Sequence, residues 1–282
     1  MNLLLPELAE IVQRALREDI GHGDVTSLLT VLESAQARAE MVVKTEGVVA
    51  GLPVAAEVFS QVDPRLQLTF HKQDGDSVTS GEVLCEIAGS ARSILTAERV
   101  ALNFVQRLSG IATKTARMVA LVKGTNARIV DTRKTTPGLR ALEKYAVRMG
   151  GGFNHRFGLY DAVMIKDNHI QAAGGILPAV KRAYALAPHT TTVTVECDTL
   201  EQVNEALAAG VDIILLDNMS LEQLREAVER IGDQAAIEVS GGITEVTVAE
   251  IAAIGVNVLS VGALTHSAPA LDVSLNLFLE GG

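Results

Sequence analysis

Six short apolar runs in the second half of the chain each end in side chains able to do chemistry. ARIVDT leads into Asp131-Thr132-Arg133-Lys134, DAVMIKDN into Lys166-Asp167, and TVTVECD into Glu196. DIILLDN leads into Asp217-Asn218, AAIEVSGG into Ser240-Gly241-Gly242, and NVLSVGA into Val261-Gly262-Ala263. Cations occupy the first two ends, carboxylates the next two, and small glycine-containing turns the last two. Arginine grips planar carboxylates through two parallel hydrogen bonds, so Arg133, joined by Arg156 in the Asn154-His155-Arg156 loop, suits a carboxylate ligand. Glu196 and Asp217 suit ribose hydroxyls, or a Mg²⁺ ion that also meets phosphate oxygens. Glycine-rich ends of late barrel strands followed by helix N-termini suit a phosphate. The face so formed offers a carboxylate pocket beside a sugar-phosphate pocket. Read without function, the same residues form an ion-pair network in which Glu196 and Asp217 balance Lys134 and Lys166.

Charge is distributed to match. From Arg99 through His169 there are thirteen Lys and Arg against four Asp and Glu, while the rest of the chain has eleven against thirty and the total is −10. A local excess of this size in an acidic protein points to a region built to hold anions. Nucleic acid is excluded as a general partner by the net charge and by the absence of aromatic residues interleaved with the cations. No apolar run approaches the roughly 20 residues needed to cross a bilayer. The N-terminal MNLLLPELAEIVQRALREDI carries acidic residues and reads as an amphipathic helix, not a signal peptide. Cys85 and Cys197 make no metal or disulfide pattern and fit a reducing compartment. The expectation is a soluble cytoplasmic protein.

The elements that must position these residues fall into two textures. Residues 1 to about 98 begin with a helix and continue as ARAEMVVKTEGVVAG, LQLTFHKQDGDSV and EVLCEIAGS, alternating segments that read as strands separated by Gly/Asp turns. The hairpin-like stretch from Gly75 to Leu84 resembles lipoyl- and biotinyl-carrier domains, but it lacks the lysine that such a carrier modifies. A helix over Thr96 to about Leu108 leads out. Beyond residue 110 the six apolar runs recur every 21 to 35 residues, the length of a strand-loop-helix module. LEQVNEALAAG and LEQLREAVERIG are helices stopped by Gly210 and Gly232. Six modules with right-handed crossovers predict an incomplete (β/α) barrel, with an open doubly wound sheet as the alternative. No G-x-G-x-x-G opens a helix where a dinucleotide fold requires it.

The runs DTRKTTPGLR, EKYAVRMGGGFNHRFGLYDAVMIKDNH, VECD, LLDNM, EVSGGI and VGALTHSAPALDVSLN together resemble the quinolinate phosphoribosyltransferase family of type II phosphoribosyltransferases, also called nicotinate-nucleotide pyrophosphorylases (carboxylating). EDIGHGDVTS and TAERVALNFVQRLSGIAT extend the resemblance over essentially the whole chain. It implies an N-terminal α/β sandwich (residues 1–109), a barrel-like catalytic domain (110–266), and a C-terminal segment (267–282) that returns to the first domain. It implies phosphoribosyl transfer from 5-phosphoribosyl 1-diphosphate to quinolinate with loss of CO₂, with Mg²⁺ as cofactor. By the same resemblance Arg133, His155 and Arg156 hold quinolinate, Lys134 and Lys166 bridge both substrates, and Glu196 and Asp217 hold the ribose and its Mg²⁺. Ser240, Gly241, Gly242, Gly262 and Ala263 cradle the 5-phosphate, and Thr132 and Val261 belong to the substrate-binding set. The resemblance also implies a homodimer, or a hexamer built from such dimers, in which Arg99 reaches the partner subunit's quinolinate site. Two other readings stay open: a barrel in which Lys134 or Lys166 forms a Schiff base, and a retasked relative such as the homologue associated with molybdate transport.

Overall fold

The computed structural model describes residues 6–279 and divides into two compact units. The first comprises residues up to Ala116, then 135–151, then Leu264 onward. Along the chain it opens with α1 (Leu8–Ile20) and α2 (Val25–Thr30), followed by β1 (Gln36–Val43), β2 (Gly47–Val48) and α3 (Leu52–Val62). β3 (Gln67–Phe70), β4 (Ser77–Val78) and β5 (Val83–Ser90) then lead into α4 (Ala91–Leu121). The first five residues of the expected N-terminal helix lie outside the described residues. The predicted strands appear as an antiparallel sheet ordered β12-β1-β5-β3, in which β12 (Val273–Leu279) comes from the C-terminal end of the chain. β12 pairs with β1 from Ala37 opposite Leu279 to Val43 opposite Val273.

Helix α4 has 31 residues, far longer than the expected Thr96–Leu108, and it runs through the expected boundary at 109/110. The one glycine in its C-terminal half explains why it does not stop there. At Gly110 a Cβ would lie 2.0 Å from the Pro269 carbonyl oxygen, so the glycine admits a crossing backbone and does not end the helix.

The second unit comprises Arg117–Lys134 and Gly152–Ala263. It holds β6 (Arg128–Val130), and, after helix α5 (Arg140–Met149) of the first unit, β7 (Val163–Ile165), α6 (Asp167–Ala173) and α7 (Ile176–Leu186). β8 (Val193–Cys197), α8 (Leu200–Ala209), β9 (Ile213–Asp217), α9 (Leu221–Ile231), β10 (Ala236–Ser240), α10 (Val248–Ala252) and β11 (Val258–Ser260) complete it, and α11 (Ala263–His266) follows. All six strands are parallel, in the order β6-β11-β10-β9-β8-β7. The first strand pairs with the last, so the order is cyclic, as in a barrel, and lacks the reversal of a doubly wound sheet. The helices start where the sequence says they must. Thr199 and Ser220 cap α8 and α9 by accepting the N–H of Gln202 and Gln223, whose side chains reach back to the capping residues. Gly210 and Gly232 end them with positive φ.

Register fixes what lies beside what. Glu196 on β8 is level with Leu215 on β9, and Leu215 with Glu238 on β10. Two residues further along, Asp217 is level with Ser240. Because alternate residues of a strand share a face, Leu215 and Asp217 point the same way, as do Glu238 and Ser240.

Candidate active site

Arg133 and Lys134 follow β6, an edge strand of the parallel sheet, and His155 and Arg156 lie in the segment that bridges that edge. Residues 152–162 have no helix or strand of their own, yet they are firmly held. Phe153 donates its N–H to Ile129 O at 2.9 Å and accepts from Asp131 N–H at 3.2 Å, adding one bridge to β6. The Arg128 guanidinium lies 5.0 Å from the centre of the Phe153 ring. Asp131 is fully buried, and its two oxygens accept from Asn154 Nδ2 at 2.5 Å and from His155 N–H at 2.9 Å. His155 Nδ1 accepts the Arg156 N–H at 2.6 Å, and its Nε2 faces Glu238 Oε1 at 3.1 Å. The network therefore assigns the ring proton to Nε2, donated to Glu238, and the imidazole braces the loop. Ser260 on β11 donates its hydroxyl to the same Glu238 oxygen.

Arg156 follows directly. Its guanidinium donates to Ala162 O at 3.3 Å, and burial makes it a weaker base than usual. Arg133 acts in the same direction, while Asp161 and Glu238 oppose the shift. Two guanidinium groups near enough to perturb one another, with buried carboxylates behind them, form a place for an anionic group. Arg133 and Lys134 are exposed, and Thr132 shapes their turn by accepting the Lys134 N–H at 3.0 Å.

The acidic side is built from the strands themselves. Lys166, just past β7, donates its ammonium to Glu196 Oε2 on the neighbouring β8, which joins the cationic and acidic sides. His169 accepts the Lys166 N–H at 3.1 Å and so caps α6. Asp217 is gripped at both oxygens: Ser240 Oγ donates to Oδ1 at 2.5 Å and Asn218 Nδ2 to Oδ2 at 2.7 Å. Among the described residues no three His, Cys, Asp or Glu side chains form a metal cage. Mg²⁺ is often held by one or two carboxylates plus substrate phosphates, so Glu196 and Asp217 fit a Mg²⁺ that arrives with a diphosphate.

Several expectations change. The basic stretch from Asp131 to His169 is not one piece of one unit, because 135–151 folds with the first unit. There α5 is tied down by buried Glu143, which accepts from Arg107 at 2.8 Å and from the Thr136 hydroxyl at 2.8 Å. Gly150 belongs to that packing, since a Cβ on it would meet Ala112 O of α4 at 2.4 Å. Arg99 is an exposed residue of α4 in the first unit. At the last strand end the Val261 side chain is buried and its N–H donates to Val130 O at 2.9 Å, which ties the end of β11 to β6. A loop of seven residues separates β10 from α10, and α11 has four residues, so the glycines of Ser240-Gly241-Gly242 and Gly262 do not open long helices. Gly241 and Gly242 do adopt positive φ of 87° and 62°. Glu238 was missed altogether. Its signal was present: a lone carboxylate inside the apolar run AIEVS, two residues before Ser240 and so on the same face.

Comparison with known proteins agrees with this arrangement. Residues 24–109 match the family described as quinolinate phosphoribosyl transferase, N-terminal domain, and residues 111–276 match its C-terminal domain. The chain is 47% identical over 274 residues to the probable nicotinate-nucleotide pyrophosphorylase (carboxylating) of Bacillus subtilis (strain 168), covering 97% of this chain and 94% of that protein. It is 44% identical to the nicotinate-nucleotide pyrophosphorylase (carboxylating) of Mycobacterium leprae (strain TN), covering 95% and 96%. The crystal structure of NadC from Streptococcus pyogenes superposes with a TM-score of 0.95 at 45% identity, covering 99% of this chain and all of that one.

Proposed function

The chain belongs to the quinolinate phosphoribosyltransferase family, and from that membership we infer its reaction and the division of labour among its residues. The enzyme transfers the phosphoribosyl group of 5-phosphoribosyl 1-diphosphate to quinolinate and releases CO₂ and diphosphate, giving nicotinate mononucleotide for NAD biosynthesis. The pyridine nitrogen is the nucleophile. It forms the new bond to the anomeric carbon as the bond to diphosphate breaks, so no activated Ser or Cys is required. The ring carbon that loses CO₂ gains a proton.

The observation that supports the assignment of residues is the Lys166–Glu196 pair, where the cationic and acidic sides meet. In this reading Arg133 and Arg156 hold the two carboxylates of quinolinate, with His155 and Thr132 shaping their loops. The cations offset the desolvation of a dianion, which is otherwise prohibitive. Lys134 and Lys166 lie between the two substrates. Glu196 and Asp217 stabilise the positive charge that grows on the ribose as diphosphate departs. Ser240, Gly241, Gly242, Gly262 and Ala263 line the 5-phosphate side. Mg²⁺, when bound with diphosphate, neutralises charge on the leaving group.

The active assembly in this reading is a homodimer or a larger set of dimers, with Arg99 serving the partner subunit's site. Its support is an apolar patch on the first unit: Val25, Leu28, Leu29 and Leu32 are all exposed, Leu29 at 80%. Among the described residues no helix is long and apolar enough to cross a membrane. A cytoplasmic setting accords with Cys85 and Cys197, both buried and unpaired with one another. The test is release of CO₂ from carboxyl-labelled quinolinate by the purified protein with Mg²⁺ and phosphoribosyl diphosphate. Nicotinate mononucleotide should form in step with CO₂, and nicotinate should not replace quinolinate. A folded protein that releases no CO₂ contradicts the reading.

A further inference from the structure

Asn218 is the one non-glycine residue with positive φ among the described residues, at 54°. It is exposed, and it lies directly after β9 at the C-terminal face of the barrel. Packing does not account for a left-handed residue at an exposed position, although Asn tolerates that region better than most residues. Its contacts fall on Asp217, Ser240 and Gly241. The Asn218 carboxamide donates to Asp217 Oδ2 at 2.7 Å, and its N–H donates to Ser240 O at 3.2 Å. Ser240 in turn donates its hydroxyl to Asp217 Oδ1 at 2.5 Å. Gly241, itself at φ 87°, is bound into the same arrangement: a Cβ there would fall 2.2 Å from Asn218 Oδ1 and 2.9 Å from Asn218 N. The glycine is thus required for Asn218 to stand where it does, quite apart from any phosphate. An outlier held by surrounding structure at a strand end is the pattern of stored strain at a working site.

We propose that Asn218 is a positioning residue: its left-handed backbone and carboxamide, with Ser240, hold the Asp217 carboxylate in a single orientation toward the phosphoribosyl substrate. A carboxylate gripped at both oxygens keeps one rotamer, and its free lone pairs then point in fixed directions. The inference rests on the reading of Asp217 as part of the phosphoribosyl subsite.

Asn218→Gly separates positioning from turn-making, because glycine accepts positive φ without strain and supplies no carboxamide. If Asn218 merely forms a turn, the variant is as stable as the parent and as active. If it positions Asp217, kcat/KM for phosphoribosyl diphosphate falls by about tenfold or more, the scale expected of a small misplacement. The KM for quinolinate should stay within about twofold and the melting temperature should not drop. Asn218→Asp, which tolerates the same backbone but sets a like charge beside Asp217, should lose more than the glycine variant. Retention of full kcat/KM in Asn218→Gly, or equal losses for both substrates with a lowered melting temperature, overturns the proposal. The parent enzyme, assayed alongside for CO₂ release, reports separately on the assigned reaction. A parent that is active while both variants match it refutes only the role of Asn218.

Discussion

Glu196 and Asp217 stand at the ends of regular parallel strands, whereas His155 and Arg156 stand in a loop with no regular structure of its own. The acidic side is placed by the period of the strand: residue identity and register suffice to set Asp217 level with Ser240. The cationic side depends on groups from elsewhere. Asp131 from the end of β6 holds the loop through Asn154 and His155, and Glu238 from the middle of β10 meets His155 from behind. The comparison teaches that a cluster of positive side chains is assembled by buried negative ones. Burying a carboxylate is costly unless it is paired and hydrogen-bonded, and here that requirement is met by the loop it fixes.

The largest expected effect comes from breaking the cationic side at its anchor. Asp131→Ala removes the acceptor of two loop donors while leaving the Phe153 bridge to β6 intact. If about 3 kcal/mol of loop order must then be supplied by the ligand, kcat/KM for quinolinate falls about 100-fold. Steady-state kinetics with each substrate varied in turn checks this, and the phosphoribosyl diphosphate parameters should change far less. A uniform loss would mean that the two sides are not separately built.

The smallest effect is expected beside the acidic side. Cys197 follows Glu196 on β8, and burial, with help from Asp198, Glu196 and Glu205, pushes its thiol up to about 12. An acid with a raised pKa stays protonated at every pH below it, so at pH 8 the reactive thiolate is almost absent. Ellman's reagent should find Cys197, and the likewise buried Cys85, unreactive at pH 8 in the folded protein, and both reactive once it is unfolded. Rapid reaction of Cys197 in a folded Cys85→Ser variant would show that the strand ends open more readily than the packing implies.

How much of this was legible in the sequence follows the same division. The six strand ends were readable because apolar runs of the right length terminate in polar residues, and all six are strands in one parallel sheet. Helices α8 and α9 were readable from their stop signals at Gly210 and Gly232. The length of α4 was not, because Gly110 looks like a breaker until the crossing backbone at Pro269 is seen. Nor was the split of the basic stretch between the two units, since nothing local tells that Glu143 is a buried anchor for Arg107 and Thr136. Glu238 carried a periodic signal, but its partner His155 lies 83 positions away, and only the fold brings them together.

The central claim is that the two sides of the strand-end face hold different substrates, and it is tested most directly by calorimetric titration of two variants. Arg156→Ala should weaken quinolinate binding by at least about tenfold, as expected for a lost charge-assisted bidentate contact, and leave phosphoribosyl diphosphate binding within about threefold of the parent. Asp217→Asn, titrated in the presence of Mg²⁺, should show the reverse. The crossed pattern is the result this account predicts; equal weakening of both ligands in both variants would contradict it.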